Sequence, residues 1–232
     1  MSQPSSQPLV SVIMAVKNGE RFLGSAIRSV LAQTYGPYEI IVVDGQSQDA
    51  TAAIAQSFAG VRYVLQTSRG VAEAYNMGLD AARGDFIAFL SHDDEWTPDK
   101  LAVQMGYLIE HPEIYYTVAR VKFFVEPGYS PPPGFRPEWL EGDHVGFLPE
   151  TLVARRAVFD LVGRFDPAVS PADDVDWFAR AKDQRVPAAV LPQVLLRKRL
   201  HNANTALTTP ENNRLLVTIL RNSLARKRQQ GQ

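Results

Sequence analysis

The sequence predicts an α/β fold in which helices flank a mostly parallel central sheet. Continuous apolar stretches of strand length alternate with helical patterns of about a dozen residues through the first half of the chain. Several of these stretches run directly into polar or acidic residues, as strands do at the ligand-binding edge of a parallel sheet. With 232 residues and 45% hydrophobic content, the chain is long enough for one domain with a sizeable core.

Four strands and three helices are predicted in the first half. Residues 9–16, LVSVIMAV, are apolar almost throughout, which is typical of a strand buried on both faces of a parallel sheet. Asn18-Gly19 ends this strand, and apolar residues then recur at helical spacing over 21–33. The same alternation predicts strands at 39–45, 61–66 and 85–90 and helices at 47–58 and 71–82.

The second half is less regular. A helix is predicted over 98–111, closed by Pro112, and one or two strands are predicted over 115–125. The proline- and glycine-rich residues 126–143 are predicted to form a loop, with short strand and helix pieces following through Leu191. We expect a lead-in at 1–8 that is disordered, one domain over 9–210 whose halves 9–95 and 96–210 share a core, and an amphipathic basic helix and tail at 211–232.

Composition excludes several classes of function. The formal net charge of −1 gives no overall field for nucleic acid, so we expect no nucleic-acid partner. The absence of cysteine excludes disulfides, thiolate metal sites and cysteine nucleophiles, and it is consistent with a reducing compartment, so we expect a cytoplasmic protein. The N-terminus lacks the basic start and apolar core of a signal peptide, and no apolar run reaches the roughly 18 to 20 residues that span a bilayer.

Polar residues follow three of the predicted strands, at Lys17-Asn18, at Asp44 and at Ser91 to Asp94. Two adjacent acids at the end of a buried strand repel each other unless a cation or hydrogen-bond donors offset the cost, which favours a site for Mg²⁺ or Mn²⁺ at Asp93-Asp94. The alternative is that these acids merely begin the helix after Pro98. Ser47 or Asp49 could likewise be no more than a helix cap.

Several motifs, in order, resemble the family 2 glycosyltransferases, inverting enzymes of the GT-A fold, which is Rossmann-like. The resemblance begins with SVIMAVKNGERFLGSAIRSVLAQTY and EIIVVDGQSQDAT, continues through RGVAEAYNMGLDAARGDFIAFLSHDDEW, and extends to LVARRAVFDLVGRFDP, ADDVDWFAR and RLHNANTA. It covers about residues 9 to 206. It implies that residues 9–95 bind a nucleotide and that residues 96–210 carry the acceptor and catalytic functions.

The resemblance also implies a donor site. Ala15, Val16, Asn18 and Asp44 match the pocket for the nucleotide base, usually uracil. The metal motif of the family falls on Ser91-His92-Asp93, with serine in place of the first acid. Asp93 and His201 are then the candidate ligands of a divalent metal, Mn or Mg, with Asp94 secondary. The full nucleotide-binding set implied is Ala15, Val16, Asn18, Asp44, Gly70, Asn76, Ser91 and His92.

The resemblance assigns the reaction to ADDVDWFAR. Asp174 matches the general base that takes the proton of an acceptor hydroxyl, and Asp173 stands in the position of a glutamate. By themselves these residues favour a plainer interpretation, a helix with acids near its N-terminus and Trp177 in the core. The predicted enzyme is an inverting glycosyltransferase that moves a sugar from a nucleotide diphosphate, most often UDP, to a saccharide or lipid-linked hydroxyl.

Two other functions and two surface features remain open. A nucleotidyltransferase should carry a glycine-rich, basic loop after the first strand, where this chain has AVKNGE, and a degenerate relative would bind a nucleotide sugar without turnover. Trp139 either stacks on an acceptor sugar or fills the core. In the C-terminal helix, Leu216, Leu220 and Leu224 share one face, which either packs on the domain or makes peripheral contact with anionic lipid at the inner face of a membrane.

Overall fold

The computed structural model describes residues 7–131, 135–202, 204 and 210–230. Most of the predicted lead-in, residues 1–6, lies outside the described residues. So do residues 132–134 of the predicted loop, and Ala203, Thr205 and Ala206 of the RLHNANTA motif.

The first half alternates strands and helices in the predicted order. Each strand is short and strongly apolar, and each following helix returns the chain to the start of the next parallel strand. The elements are β1 (Val10–Val16), α1 (Leu23–Leu31), β2 (Tyr38–Asp44), α2 (Thr51–Ser57), β3 (Val61–Leu65), α3 (Val71–Ala81) and β4 (Phe86–Phe89).

The second half adds five strands and four helices among the described residues. They are β5 (Glu95–Trp96), α4 (Lys100–Glu110), β6 (Tyr116–Val125), β7 (His144–Val145), β8 (Val153–Arg155), α5 (Val158–Val162), α6 (Asp173–Asp183), β9 (Ala188–Leu200) and α7 (Pro210–Gln230). Single turns of 3₁₀ helix occupy Pro137–Leu140, Pro149–Thr151 and Pro167–Val169.

All nine strands join one sheet in the order β3-β2-β1-β4-β8-β6-β9-β5, with β7 paired to β6. The first four strands are parallel to one another. β8 pairs antiparallel with both β4 and β6, so it joins the regular half to the irregular half. The two halves therefore form a single α/β domain, as predicted.

Both faces of the sheet are covered. One face packs against α1 and α4 through residues such as Leu23, Ile27 and Leu101. The other packs against α3, α5 and α6 around the fully buried Trp177. This two-sided burial explains why β1 and β4 are almost wholly apolar rather than alternating, whereas β3, at the edge of the sheet, carries the exposed Arg62.

Two elements differ from the prediction. The helix predicted at 47–58 begins only at Thr51, because the Asp44 carboxylate binds the backbone N–H and hydroxyl of Ser47 and holds these residues in a turn. The short strand and helix pieces predicted through Leu191 are present as β7, β8, α5 and α6, but residues 188–191 are the start of the long strand β9. Pro192 lies within this strand, where the pairing between β6 and β9 shifts register.

The C-terminal helix α7 packs on α6. Ile219 is buried between them, and the Asp183 carboxylate receives hydrogen bonds from Ser223 and Arg226. No helix in the described part of the chain combines the length and apolar character needed to cross a membrane.

Candidate active site

The carboxyl ends of β1, β2 and β4 lie side by side. Val16 pairs with Asp44 at the last position of β1 and β2, and Leu90, directly after β4, donates its N–H to the carbonyl of Ile13. The polar residues that follow these strands therefore converge on one edge of the sheet, as the sequence predicted.

Asp44 is buried at the base of this edge, with 1% of its surface exposed. One carboxylate oxygen accepts the Ser47 N–H at 2.9 Å and the Ser47 hydroxyl at 2.6 Å, and the other accepts the Tyr63 hydroxyl at 2.9 Å. Burial and the Asp44 carboxylate together raise the pKa of Tyr63 to about 12. The second oxygen, which accepts only the Tyr63 hydroxyl, can still accept a further hydrogen bond.

The turn after β1 is bonded to the turn after β2. The Asn18 N–H donates to the Ser47 hydroxyl at 2.8 Å, and the Asn18 side-chain oxygen accepts the Gln48 N–H at 3.0 Å. Asn18 has a φ of +52°, a conformation that asparagine tolerates better than most residues. Ala15 and Val16 precede this turn, so the predicted base-binding residues form a continuous rim with Asp44.

The other predicted nucleotide contacts lie at α3 and after β4. Gly70, at φ +95°, precedes α3 and would place a side chain toward Ser170. Asn76 uses its side-chain amide to bind the backbone N–H and carbonyl of Phe165, so its observed contacts hold the loop that leads toward α6. His92 packs against Gly19, and burial lowers the pKa of its imidazole.

Asp93 lies opposite His201. Its Oδ2 is 3.1 Å from His201 Nε2 and 3.2 Å from Asn204 Nδ2, so these residues bring the end of β4 to the end of β9. Burial alone would raise the pKa of Asp93, but the hydrogen bond with His201 and the surrounding positive charge hold it well below its usual range. Asp93 is therefore a carboxylate at neutral pH.

Asp94 points away from α4 and toward β9. Its side chain is fully buried and accepts Lys198 Nζ at 2.7 Å and the Arg199 N–H at 2.9 Å. The interpretation of Asp94 as a helix start is therefore wrong, since α4 begins only at Lys100. Although burial opposes it, the charges of Asp94 and Glu150 raise the pKa of Lys198 above its usual value.

Ser91, where the resemblance places an acid, donates its hydroxyl to Glu150 Oε1. Glu150 is 6% exposed, and the same oxygen lies 3.5 Å from Lys198 Nζ. Tyr75 on α3 also bonds to Ser91 and interacts electrostatically with Glu150. Ser91 thus stands where an acid is expected, and Glu150, Lys198 and Tyr75 lie around it.

Asp173 and Asp174 begin α6 and interact electrostatically with Glu150. Together with Asp93, Asp94 and Glu150 they form the acid cluster. Asp173 is 2% exposed, and its Oδ1 has no hydrogen-bond partner among the described residues. Burial raises the pKa of Asp173 to about 6. Asp174 is half-buried; its Oδ1 accepts the Val175 N–H at 2.7 Å, while burial and the nearby carboxylates raise its pKa to about 7.

The residues present fit a divalent cation that takes only one or two of its ligands from the protein. In the part of the chain described by the structure, no three His, Asp or Glu side chains are grouped so that they could hold a metal. Asp93 Oδ2 and His201 Nε2 are joined by a hydrogen bond of 3.1 Å, and this carboxylate and imidazole are the side chains placed to hold such an ion in its stead. Mg²⁺ commonly takes one or two protein ligands and completes its shell with phosphate and water.

Trp139 packs against other aromatic rings, and none of its ring contacts in the described residues is with these acids. Its indole stacks on Phe123 with centroids 6.1 Å apart and meets Phe135 edge-on at 5.6 Å. The ring is half-buried, so part of it remains accessible beside the loop predicted to receive the acceptor.

Comparison with known proteins decides the family. The model described as Glycosyl transferase family 2 matches residues 11–158. This chain belongs to glycosyltransferase family 2. The family, the α/β fold and the prediction of a glycosyltransferase are thereby confirmed.

Relatives of this family 2 glycosyltransferase include proteins from several bacteria. An uncharacterized glycosyltransferase of Rickettsia typhi is 32% identical over 226 residues, which cover 90% of this chain and 69% of that protein. The Escherichia coli protein WfgD, named UDP-Glc:alpha-D-GlcNAc-diphosphoundecaprenol beta-1,3-glucosyltransferase, is 40% identical over 106 residues, which cover 44% of this chain and 42% of WfgD.

Solved structures of Staphylococcus aureus TarS share the fold. TarS 1–349 in complex with UDP aligns with a TM-score of 0.71 at 19% identity, covering 94% of this chain and 64% of the TarS chain. TarS 1–349 in complex with UDP-GlcNAc aligns with the same TM-score at 20% identity over 90% of this chain. This chain thus spans less than two thirds of the length of either TarS chain.

Sequence reasoning missed three residues that lie in or beside the acid cluster. Tyr75 lies inside a helix, Lys198 inside a strand, and Glu150 in a single 3₁₀ turn. Only the basic run Arg197-Lys198-Arg199, in an otherwise apolar strand, could have been noticed. Glu150 is about 60 residues from Ser91 along the chain, and no local pattern links the two residues.

Proposed function

We propose that this family 2 glycosyltransferase transfers a sugar from a UDP-sugar to a hydroxyl of a saccharide or lipid-linked acceptor, with inversion at the anomeric carbon. One observation carries the proposal: Lys198 interacts electrostatically with Asp93, the partner of His201, and also with Asp174, so the proposed base lies near the proposed diphosphate site. A single displacement requires a base and a diphosphate site around one reacting carbon.

The nucleotide binds at the rim formed by the first two strands. The Asp44 carboxylate accepts a hydrogen bond from an N–H of the uracil base, and Ser47 and Tyr63 hold that carboxylate in place. Ala15, Val16 and Asn18 line the rim beside it. The names of WfgD and of the TarS complexes, which mention UDP-Glc, UDP and UDP-GlcNAc, support UDP as the nucleotide.

Asp93 and His201 would hold the divalent cation, Mn²⁺ or Mg²⁺. When bound, such a cation supplies positive charge that stabilises the departing diphosphate. The acid cluster also favours a cation for electrostatic reasons, because four acids, Asp93, Asp94, Glu150 and Asp174, interact with a single lysine, Lys198.

Asp174 acts as the general base. Its carboxylate takes the proton of the acceptor hydroxyl as the hydroxyl oxygen bonds to the anomeric carbon. The bond between that carbon and the phosphate oxygen breaks at the same time, and UDP leaves with the electron pair. The raised pKa of Asp174 suits this task, since a base with a pKa near the working pH accepts a proton readily.

The proposal is tested by donor binding and turnover with Mn²⁺. Wild type should bind UDP by calorimetry and transfer or hydrolyse a sugar from UDP-glucose or UDP-N-acetylglucosamine. Asp93→Ala should weaken Mn²⁺-dependent UDP binding, while Asp174→Asn should bind UDP normally and lose turnover. A wild type that binds UDP but gives no turnover with a broad acceptor panel would instead be a nucleotide-sugar-binding relative.

Helix α7 is the part of the chain that would contact a membrane surface. Leu216, Val217, Leu220 and Leu224 are between 43% and 60% exposed on α7, on the side not packed against α6. At 100° per residue, the exposed Arg214, Arg221 and Arg228 border this leucine stripe. An apolar stripe bordered by arginines fits peripheral contact with anionic lipid, from the cytoplasmic side of a membrane.

Vesicle co-sedimentation tests this contact. Leu220→Ser should reduce binding to phosphatidylglycerol vesicles roughly tenfold, since it removes one inserted side chain. The matched control is Leu161→Ser, which changes an equally exposed leucine on α5. Equal binding of both variants, or binding to neutral vesicles alone, would contradict the proposal.

A further inference from the structure

Glu150 has an unsatisfied carboxylate oxygen inside the acid cluster. The side chain is 8% exposed, and Oε1 takes the Ser91 hydroxyl and lies near Lys198. Oε2 is buried and has no hydrogen-bond partner among the described residues. An unpaired buried acceptor of a charged group costs free energy, so its persistence points to a ligand that supplies a donor.

The backbone around Glu150 is held rigidly. The Trp96 indole N–H donates to the Glu150 carbonyl at 3.0 Å, and the buried Lys100 Nζ donates to the Thr151 carbonyl at 3.1 Å. The backbone is therefore fixed, and turning the carboxylate outward would break its own hydrogen bond with Ser91 and its contact with Lys198. Such fixed support is typical of side chains that position a ligand.

Glu150 is near both groups of residues in the proposed reaction site. It interacts electrostatically with Asp94 and Lys198, which adjoin Asp93. It also interacts with Asp173 and Asp174 at the start of α6. If the diphosphate lies by Asp93 and the anomeric carbon lies by Asp174, the donor sugar lies close to Glu150.

The chemistry of Glu150 Oε2 limits the class of ligand that it can bind. A carboxylate oxygen accepts hydrogen bonds only, and hydroxyls are the donors that a sugar presents. Ser91 in place of an acid leaves room for a carboxylate reaching in from another element of the chain.

We infer that Glu150 Oε2 accepts a hydrogen bond from a hydroxyl of the donor sugar, and that Glu150 thereby replaces the acid absent at Ser91 and contributes to sugar specificity. This inference rests on the proposed use of a nucleotide-sugar donor. It assigns Glu150 to the sugar and not to the nucleotide, and this distinction makes it testable.

The experiment measures the ratio of two dissociation constants. Kd values for UDP, UDP-glucose and UDP-N-acetylglucosamine are measured by calorimetry with Mn²⁺ for wild type and Glu150→Gln. For the sugar nucleotide that wild type prefers, the ratio of its Kd to that of UDP should rise roughly tenfold or more in E150Q, since a hydrogen bond to a charged group is lost. UDP alone should bind within about twofold of wild type.

The matched control is Glu141→Gln, the same change at an exposed glutamate, which should leave the ratio unchanged. If E150Q fails to fold, Glu150→Asp keeps the charge beside Lys198 and withdraws the carboxylate by one methylene, so it must raise the ratio instead. An unchanged ratio, or a loss of UDP affinity as large as the loss of sugar-nucleotide affinity, overturns the inference and leaves the proposed function standing. A wild type that binds no sugar nucleotide overturns the proposed function and the inference with it.

Discussion

The pH dependence of turnover depends on Asp174. Burial, together with the charges of Asp173 and Glu150, raises the pKa of this carboxyl to about 7 against the opposing effects of the Val175 N–H and Lys198. The proposed base works only as a carboxylate. Turnover is therefore lost as the pH falls through the pKa and gained as it rises, the opposite of what a required acid would give.

The size of the effect follows from that pKa. One unit below it about a tenth of the groups are ionised, and one unit above it about nine tenths are. We expect kcat/KM to rise roughly tenfold between about pH 6 and about pH 8 and then to level off. Asp174→Asn should lower kcat by about 10² to 10⁴, the usual contribution of a general base, and abolish the rise with pH.

The assay is initial-rate sugar transfer or donor hydrolysis across this pH range, with UDP binding measured in parallel. Asp160→Asn, an exposed aspartate on α5, is the matched control and should retain the wild-type profile. A flat wild-type profile would refute the reasoning from burial. Survival of the same rise in the residual activity of D174N would assign the titration to another group.

Two stability predictions test the packing around the site. Gly78→Ala places a methyl group into the side chain of Ile13, so it should destabilise the protein by about 1–3 kcal/mol in urea unfolding, whereas Gly106→Ala, with no neighbour within 4 Å, should stabilise α4 by about 0.5–1 kcal/mol. Equal effects of the two changes would argue against close packing of α3 on β1. Lys198→Met leaves the buried Asp94 carboxylate without its ion-pair partner and should cost about 3–5 kcal/mol, a loss that a change below about 1 kcal/mol would contradict.

The sequence already contained the regular half of the fold. Its strands are apolar on both faces and its helices follow at a helical period, so local pattern and final burial agree. It also placed Asp44 and Asp93 at strand ends on one edge of the sheet, where the structure has them on either side of β1, because parallel strands necessarily bring their carboxyl ends to one edge. Boundaries were less certain where side chains compete with the helix, as Asp44 does before α2.

The tertiary structure alone decided which side chains share the site. Asp94 could have begun a helix, and only the pairing of β5 with β9 turned it toward Lys198. Glu150 reaches Ser91 because β8 runs antiparallel to β4, a contact between distant segments that no local periodicity records. Local sequence determines elements and the edge where they end, since propensity and pattern act over a few residues; long-range strand pairing determines which charges face one another there.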